Sequence, residues 1–357
     1  MPEEGQAERI IRSAFRDQAK SCEELGSPFM ARLCRLAAER LDRGSGVGRR
    51  ILDWSGDPSS KGDAVALRLF GTLHCMVLLN RDPAIQACYP PNRVDDDLLW
   101  TACESAFEKH ADFILDRLRL APQTNEVRRS AALLPGFLTI ARLFGKPLVL
   151  SEIGASAGLN LHWDNYRYQL SSDHWGDDTA AVLIAPDWSG EIPPFEPVEI
   201  MERAGCDLNP LDPAKEEDRL RLLSYIWADQ QDRLDRTRKA LERAAAAGSL
   251  VERADAIEWL EHRLARRFSG AVHVVYHSIA WQYLPKAAQA EGDALLAAAG
   301  AAATEDAPVA RLQMEADGQA PGAGLSLQLW PGGAKQLIGR ADFHGRWVAW
   351  DGWSEKG

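Results

Sequence analysis

The chain has 357 residues, of which 46% are hydrophobic and 26% are charged. These proportions are those of an ordinary globular protein and exclude collagen-like, disordered and disulfide-scaffold chains. The 52 acidic residues outnumber the 41 basic ones, and the net charge of −11 has the wrong sign for holding a phosphate backbone, so we expect no nucleic-acid partner. The length favours two structural units over one large core.

Cysteine usage and the N-terminus indicate the compartment. The six cysteines form no C-x-x-C pair and several lie in apolar helical stretches, so we expect reduced thiols in a core. The first fifteen residues are charged and lack the apolar region of a signal peptide, and no run of about 18 apolar residues occurs. We expect a cytoplasmic protein without a membrane anchor.

We expect no metal site, because only His273 and His277 have ligand spacing and a strand with its following turn would not place them on one face.

The first part of the chain has helical periodicity throughout. Apolar residues recur three and four apart, as at Ile10, Ile11, Phe15 and Ala19, and the segments with this pattern are separated by Gly-, Pro- and Ser-rich turns. The pattern predicts an all-helical N-terminal domain over 1–144, with five or six helices and no strand.

The pattern changes at Gly145. The apolar run 148–153 is closed by Gly154-Ala155-Ser156-Ala157-Gly158 and followed by a helix-like segment, which predicts strand, tight turn and helix. Strands alternate with helical patterns over the rest of the chain, which predicts an α/β domain over 145–357 with a mostly parallel sheet covered on both faces. The last strands predict an antiparallel hairpin across Gly332-Gly333. Residues 166–197 break the alternation and predict an insertion, either a small hairpin or a lid. The further strands are predicted at 198–201 leading to Asp207, 249–253, 271–276, 308–314, 325–330 and 336–350, and the helices at 214–247, 256–267 and 286–299.

The turn at Gly154 is compatible with three chemistries. A dinucleotide fingerprint requires G-x-G-x-x-G, but Ser156 and Leu159 stand at the second and third glycine positions, so an NAD site is weakly supported. The turn also matches G-x-S-x-G, which predicts a serine hydrolase with Ser156 as nucleophile, Asp255 as orienting acid and His277 as base. About 145 helical residues precede this turn, whereas α/β-hydrolases place several strands before it.

The third chemistry comes from a resemblance. Glu152-x-Gly154-x-x-x-Gly158 at the end of the first strand, with Asp207 after the second and Asp255 after the third, resembles the class I S-adenosylmethionine (AdoMet)-dependent methyltransferases over about 145–353. The resemblance implies a Rossmann-like fold with a C-terminal antiparallel hairpin and AdoMet as cofactor. It also implies that the residues after the fourth strand, His277, Ser278 and Trp281, face the substrate. The cofactor-binding residues it implies are Glu152, Gly154, Ala155, Ser156, Gly158, Asn160, Asp207, Asp255 and Ala256.

Almost the whole chain is also similar to a bacterial family known as domain of unknown function 2332. The segments that carry this likeness include 123–127, 152–161, 207–210 and His277-Ser278, together with Asp164-x-Tyr166-x-Tyr168. The family implies no activity, so a functional assignment depends on the site itself.

Several residues allow both a structural and a functional interpretation. Asn125, Glu126 and Arg129 either begin a helix or line the cofactor cleft from the helical domain. Tyr166 either starts the inserted strand or forms a wall of the pocket, and Trp281 either packs between sheet and helix or contacts substrate.

His277 either lies at the rim of the core or acts as general base. The preferred function is AdoMet-dependent methyl transfer to a small-molecule acceptor. The alternatives are a non-catalytic protein that binds AdoMet or a related nucleoside, and the serine hydrolase.

Overall fold

The structure is a computed structural model that describes residues 2–354 and divides into two compact units. One unit comprises Met1–Thr124 with Glu216–Asp235, and the other comprises Asn125–Lys215 with Arg236–Gly357. This boundary differs from the one placed at 144 by the sequence. Helical periodicity shows that a segment has an apolar face, but not which core that face will join.

The first unit is helical. Eight α-helices precede the first strand among the described residues, more than the five or six predicted, because three of them have only six or seven residues. Asp229 accepts hydrogen bonds from Ser27 Oγ at 2.5 Å and from the Phe29 amide at 2.9 Å, which ties the segment Glu216–Asp235 to this unit. The helices before the first strand are α1 (Pro2–Glu24), α2 (Pro28–Arg40), α3 (Gly46–Leu52), α4 (Val65–Leu78), α5 (Pro83–Cys88), α6 (Asp96–Lys109), α7 (Ala111–Arg117) and α8 (Arg129–Phe144).

The second unit is an α/β structure, as predicted. Its two sheets are formed by β1 (Leu148–Ile153), β2 (Arg167–Leu170), β3 (Asp173–Trp175), β4 (Leu183–Ile184), β5 (Asp187–Gly190), β6 (Ile200–Asp207), β7 (Val251–Arg253), β8 (Val272–Ser278), β9 (Val309–Glu315), β10 (Ala323–Trp330), β11 (Lys335–Ala341) and β12 (Trp347–Trp350). The later helices of the chain are α9 (Glu216–Ser224), α10 (Gln231–Ala247), α11 (Ala256–Leu264) and α12 (Lys286–Ala301).

Nine of the described strands form one large sheet in the order β5-β12-β11-β10-β9-β8-β1-β6-β7. The pairs from β9 through β8, β1 and β6 to β7 are all parallel. The strands β9 to β12 form an antiparallel meander. The predicted hairpin across Gly332-Gly333 is confirmed as β10 and β11. The predicted strand 336–350 is two strands, because Asp342 and the turn that follows it interrupt the run.

The insertion 166–197 contains a small sheet in the order β3-β2-β4, in which β2 and β3 form an antiparallel hairpin. Its last strand, β5, leaves this sheet and pairs in parallel with β12 at the edge of the large sheet.

The segment after β1 is shorter than the predicted helix. It is a 3-10 helix over Leu159–Asn165, and His162 inside it has the non-helical angles φ −106° and ψ 18°. Tyr166 ends it in an extended conformation. The chain therefore turns directly into β2 instead of crossing the sheet in a long helix.

Helices cover both faces of the large sheet. α8 contacts β8 to β12, and most of its residues are buried, which explains its place in the second unit. α11 and α12 contact each other and, between them, β6, β9 and β10. Among residues 2–354, no helix combines the length and the apolar character needed to cross a bilayer. The six cysteines are all free and buried, as predicted.

An aromatic stack joins α8 to the sheet. The rings of Phe137 and Trp163 are 4.3 Å apart and almost parallel, and Phe137 meets Tyr276 of β8 edge to face at 5.1 Å. None of the three side chains is exposed. Truncating the central ring would leave a buried cavity between the two remaining rings.

We predict that Phe137→Ala lowers the free energy of unfolding by about 3–5 kcal/mol, because it removes buried area and both ring contacts. Phe195→Ala is the matched control, since Phe195 is 39% exposed, and it should cost less than about 1 kcal/mol. Urea unfolding followed by circular dichroism measures both values. Equal losses in the two variants would contradict a stabilising role for the stack.

Candidate functional site

The candidate site lies at the carboxyl ends of the parallel strands, where the strand order reverses. β1 has β6 on one side and β8 on the other, whereas the chain passes from β1 through β6 and β7 before it returns to β8. Open α/β sheets bind ligands in the crevice at such a reversal. The residues that follow β1, β6, β7 and β8 are therefore the ones that a ligand would contact.

The loop after β1 depends on residues that tolerate a left-handed backbone. The φ angle is +69° at Gly154, +55° at Ser156 and +72° at Gly158. Gly154 is exposed, and a Cβ added to it would lie 2.6 Å from the Cβ of Ala280 in the turn after β8. Both the conformation and the close approach exclude a larger residue, so the backbone of Gly154 stays open at the crevice.

Most amides of this loop already donate within the protein. A loop that binds phosphate needs backbone N–H groups that point at the ligand. Four of the five amides of residues 155–159 already donate in intramolecular hydrogen bonds of 2.7–3.0 Å. The donor and acceptor pairs are Ala155 with the Cys206 carbonyl, Ser156 with Asp207 Oδ2, Gly158 with the Ala155 carbonyl and Leu159 with Asn125 Oδ1.

Asp207, at the end of β6, fastens the loop. Its Oδ2 accepts from the Ser156 amide at 3.0 Å and its Oδ1 from the Asn209 amide at 2.8 Å. A carboxylate has about four acceptor positions, so this side chain retains capacity for a ligand hydroxyl on each oxygen. Leu208 follows it and is 62% exposed. An anionic acceptor thus stands beside an accessible apolar surface.

Asp255 follows β7 and caps α11. Its Oδ1 accepts from the amides of Ile257 at 2.8 Å and Glu258 at 3.3 Å, and the residue is exposed. Its neighbour Ala256 is buried in the first turn of the helix. The cap accounts for one carboxylate oxygen of Asp255.

Ile279, immediately after β8, has a backbone conformation rare for its type. Its φ is +51°, which is a genuine outlier for a β-branched residue, and its amide donates to the Met314 carbonyl at 2.8 Å. Such conformations persist only where the surroundings enforce them, and they concentrate at functional sites. Ser156 and Ile279, both with positive φ, thus follow the two strands that border the crevice.

His277 is placed differently from the general base suggested by the sequence. It has no exposed surface, and its Nδ1 lies 2.7 Å from Glu315 Oε1. Its Nε2 lies 3.4 Å from the Arg311 guanidinium, and its ring stacks on Trp281 at 4.9 Å. Burial lowers the pKa of His277, in spite of the opposing effect of Glu315. Both ring nitrogens lie against side chains inside the protein, since Nε2 is also 3.1 Å from the Gln313 side-chain amide, and neither is directed to an open surface.

Ser156, Asp255 and His277 do not form a hydrolytic triad. Ser156 Oγ is buried and has no hydrogen-bond partner, whereas Asp255 caps a helix and His277 is bound to Glu315. A nucleophilic serine requires a base within hydrogen-bond reach.

Glu152 lies under the loop, on the face of β1 directed toward Tyr276. It is 2% exposed, and the Tyr276 hydroxyl lies 3.4 Å from its Oε2 and 3.3 Å from the Asn160 carbonyl. Burial raises the pKa of Glu152 to about 8, and the charge of Asp207 adds to this effect, while the Tyr276 hydrogen bond and Arg129 act in the opposite direction. The carboxyl group is therefore mainly protonated at neutral pH.

The segment before α8 meets the loop within the second unit. Asn125 Oδ1 accepts from the Leu159 amide at 2.9 Å, and Asn160 Nδ2 donates to the Glu126 carbonyl at 3.3 Å. Arg129 donates to the carbonyls of Ser278 at 3.1 Å and Phe343 at 3.0 Å. The structure therefore brings these predicted pocket residues next to the loop as a support for it.

Tyr166 and Trp281 are buried. The Tyr166 hydroxyl donates to the Leu159 carbonyl at 2.6 Å, and the Trp281 ring packs against both His277 and Arg311. Their contacts hold the loop and the turn after β8. No group of three or more His, Cys, Asp or Glu side chains within the described residues is arranged to hold a metal ion.

Sequence reasoning missed three residues at this edge. They are Leu208 after β6, Tyr276 in β8 and Glu315 at the end of β9. The position of Leu208, immediately after an acid at a strand end, was the available signal. Glu315 and Tyr276 act through contacts with segments at least 33 residues away in sequence, which no local pattern contains.

We predict that Glu152→Gln stabilises the protein increasingly as the pH rises. Glutamate ionises near pH 4.5 when unfolded but near pH 8 in the fold, so between these values the folded state binds more protons and loses stability with rising pH. The slope for one group is about 1.4 kcal/mol per pH unit, and glutamine removes it. Urea unfolding of variant and wild type at pH 5 and pH 8 measures the difference.

Glu202→Gln is the control with the opposite sign. Although burial acts to raise the pKa of Glu202, hydrogen bonds from Arg263 and Arg266 lower it overall. Its ionised form stabilises the fold above about pH 4.5, so this variant should be destabilised at both pH values. A Glu152→Gln effect that does not grow between pH 5 and pH 8 would contradict the buried, protonated state.

Comparison with known proteins identifies the chain's family. The model of a family described as "Uncharacterized protein conserved in bacteria (DUF2332)" matches residues 12–350. No curated protein and no solved structure matches the chain.

Proposed function

The chain belongs to the DUF2332 family, whose description states no activity, and from the site geometry we propose that it is an AdoMet-dependent methyltransferase acting on a small molecule. One observation carries the proposal. The open backbone of Gly154 and the acids Asp207 and Asp255 lie at the carboxyl ends of three adjacent strands, β1, β6 and β7.

The strand order supports this assignment. The five parallel strands, numbered by their order among themselves, run 3-2-1-4-5, which is the order of doubly wound nucleotide-binding sheets. In such sheets the acid after the second strand binds the ribose hydroxyls. Asp207 occupies that position and retains acceptor capacity.

The loop favours a nucleoside without phosphate. A pyrophosphate would need several free amides and the dipole of a long helix, whereas here four loop amides donate within the protein and a seven-residue 3-10 helix follows. The carboxylate of Asp207 would also repel a phosphate placed beside Ser156. AdoMet has an adenosine group but no phosphate, and this combination fits the donors and acceptors present.

Each of these residues would contact a different part of the cofactor. Asp207 would accept from the ribose hydroxyls, Leu208 would cover the adenine face, and the second oxygen of Asp255 would accept from the adenine amino group. The uncovered backbone at Gly154 would face the methionine portion. When bound, AdoMet supplies a methyl group on a sulfonium centre.

The chain's contribution to the reaction is binding and orientation. Holding an acceptor in line with the reactive carbon can supply much of a rate enhancement without a base. We assign no proton transfer to His277, because both of its ring nitrogens face groups inside the protein.

We predict that the wild-type protein binds S-adenosylhomocysteine with a micromolar Kd, about −8 kcal/mol. Asp207→Ala should weaken binding at least about tenfold, because hydrogen bonds to a charged group are lost. Gly154→Ala should do the same by closing the crevice. Isothermal titration calorimetry measures the Kd values, and thermal unfolding without ligand identifies variants that have lost the fold.

Leu208→Ala is the sharper test, because an exposed side chain contributes little to the fold. We expect unchanged thermal unfolding and about tenfold weaker binding. Leu337→Ala is the matched control, since Leu337 is a leucine of similar exposure on β11. No binding of S-adenosylhomocysteine to the wild type at millimolar concentration would refute the proposal.

Two alternative functions can be tested with the same purified protein. A fluorophosphonate that labels Ser156 would favour the hydrolase, and the buried, unpartnered hydroxyl predicts no labelling. Binding of S-adenosylhomocysteine without methyl transfer from labelled AdoMet to any of a panel of small nucleophiles would favour the non-catalytic binding protein.

A further inference from the structure

A partly buried carboxylate at the end of β9, that of Glu315, organises the turn after β8. Glu315 Oε1 accepts from the amides of Ala280 at 3.0 Å and Trp281 at 3.1 Å, and its Oε2 accepts from the amide of Gln282 at 3.3 Å. Three successive amides of the turn therefore donate to one side chain from a neighbouring strand. A charged acceptor makes these bonds stronger than bonds to a neutral one.

His277 completes this arrangement. Glu315 is an acceptor, so the His277 Nδ1 that faces it carries a proton, whereas Nε2 faces the side-chain amide of Gln313 at 3.1 Å and the Arg311 guanidinium at 3.4 Å. Nδ1 then donates to Glu315 Oε1 at 2.7 Å. Burial lowers the pKa of His277 and so favours its neutral form, which still donates through Nδ1.

The other charges around this pair are themselves paired. Arg311 lies 2.6 Å from Asp293 of α12 and covers the ring of Trp281 at 4.5 Å. Among the described contacts of His277, Glu315 is therefore the only carboxylate that also accepts hydrogen bonds from the turn.

The turn after β8 also restricts the position of the loop after β1. The Cβ of Ala280 occupies the space where a Cβ of Gly154 would be, and Ile279 next to it has φ +51°. A turn released from Glu315 would let Ile279 relax to negative φ and would move Ala280. The crevice between β1 and β8 would then change shape.

We propose that Glu315 and His277 are a positioning pair that holds the 279–283 turn against Gly154 and so sets the geometry of the ligand crevice. Neither residue touches the ligand. The effect on ligand binding rests on the proposed function, whereas the effect on the two segments does not.

Hydrogen exchange read by mass spectrometry tests the pair without a ligand. In Glu315→Gln we expect exchange at least tenfold faster in the peptides that cover both 279–284 and 154–158. Asp342→Asn is the matched control. Asp342 is 4% exposed and directly follows β11 at the same edge of the sheet, and it accepts hydrogen bonds from the amides of His344 and Arg346 in its own turn. In the control, exchange in 154–158 should stay at the wild-type rate. Unchanged exchange of 154–158 in Glu315→Gln would overturn the proposal.

A pair of His277 variants separates positioning from proton transfer. Asparagine can place an N–H near the position of Nδ1, whereas alanine cannot. We expect His277→Asn to retain the wild-type exchange rate and the Kd for S-adenosylhomocysteine to within about threefold, and His277→Ala to raise both at least tenfold. Equal impairment in the two variants would overturn the proposal. If the wild type binds no S-adenosylhomocysteine, the proposed function fails and the exchange rates alone decide the positioning role.

Discussion

The close approach of Gly154 to Ala280 is the constraint on which the carboxyl edge of the sheet depends. These residues follow two adjacent parallel strands, and there is no space for a side chain between them. The constraint explains the positive φ angles at Gly154, Ser156 and Ile279, because each segment must turn sharply to leave its strand without meeting the other. The position of the crevice follows from the strand order, and its width follows from this contact.

The hydrogen bonds already made at the crevice limit which ligands it can accept. A glycine-containing loop after the first strand of an α/β sheet usually suggests a phosphate site. Here the amides donate to Cys206, Asp207, Ala155 and Asn125, so a phosphate would compete with intramolecular bonds. A carboxylate with remaining acceptor positions and an exposed leucine form a site for hydroxyl groups and an apolar ring. These groups support the proposal that the crevice binds a nucleoside such as AdoMet.

His277 illustrates how the end of a strand can be misinterpreted. A histidine at the carboxyl end of a parallel strand is a reasonable candidate base when only the chain order is known. Its side chain points instead into the layer between the sheet and α12, where Glu315, Arg311 and Trp281 surround it. A fully buried polar group of this kind must be satisfied internally, and its partners then fix neighbouring backbone. The histidine is thus part of the scaffold that shapes the site.

The sequence by itself determined the α/β alternation, the strands β1 and β7 to β10 to within a few residues, and the positions of Gly154, Asp207 and Asp255 at strand ends. These features depend on local periodicity and on residues that permit sharp turns, and both are readable in a short window. The tertiary structure alone decided that α8 belongs with the sheet, that the segment after β1 is a 3-10 helix, that His277 is buried, and that Leu208 is exposed. Each of these depends on which distant segment covers a given face, and a chain's local pattern states that a face is apolar or polar without stating what it will meet.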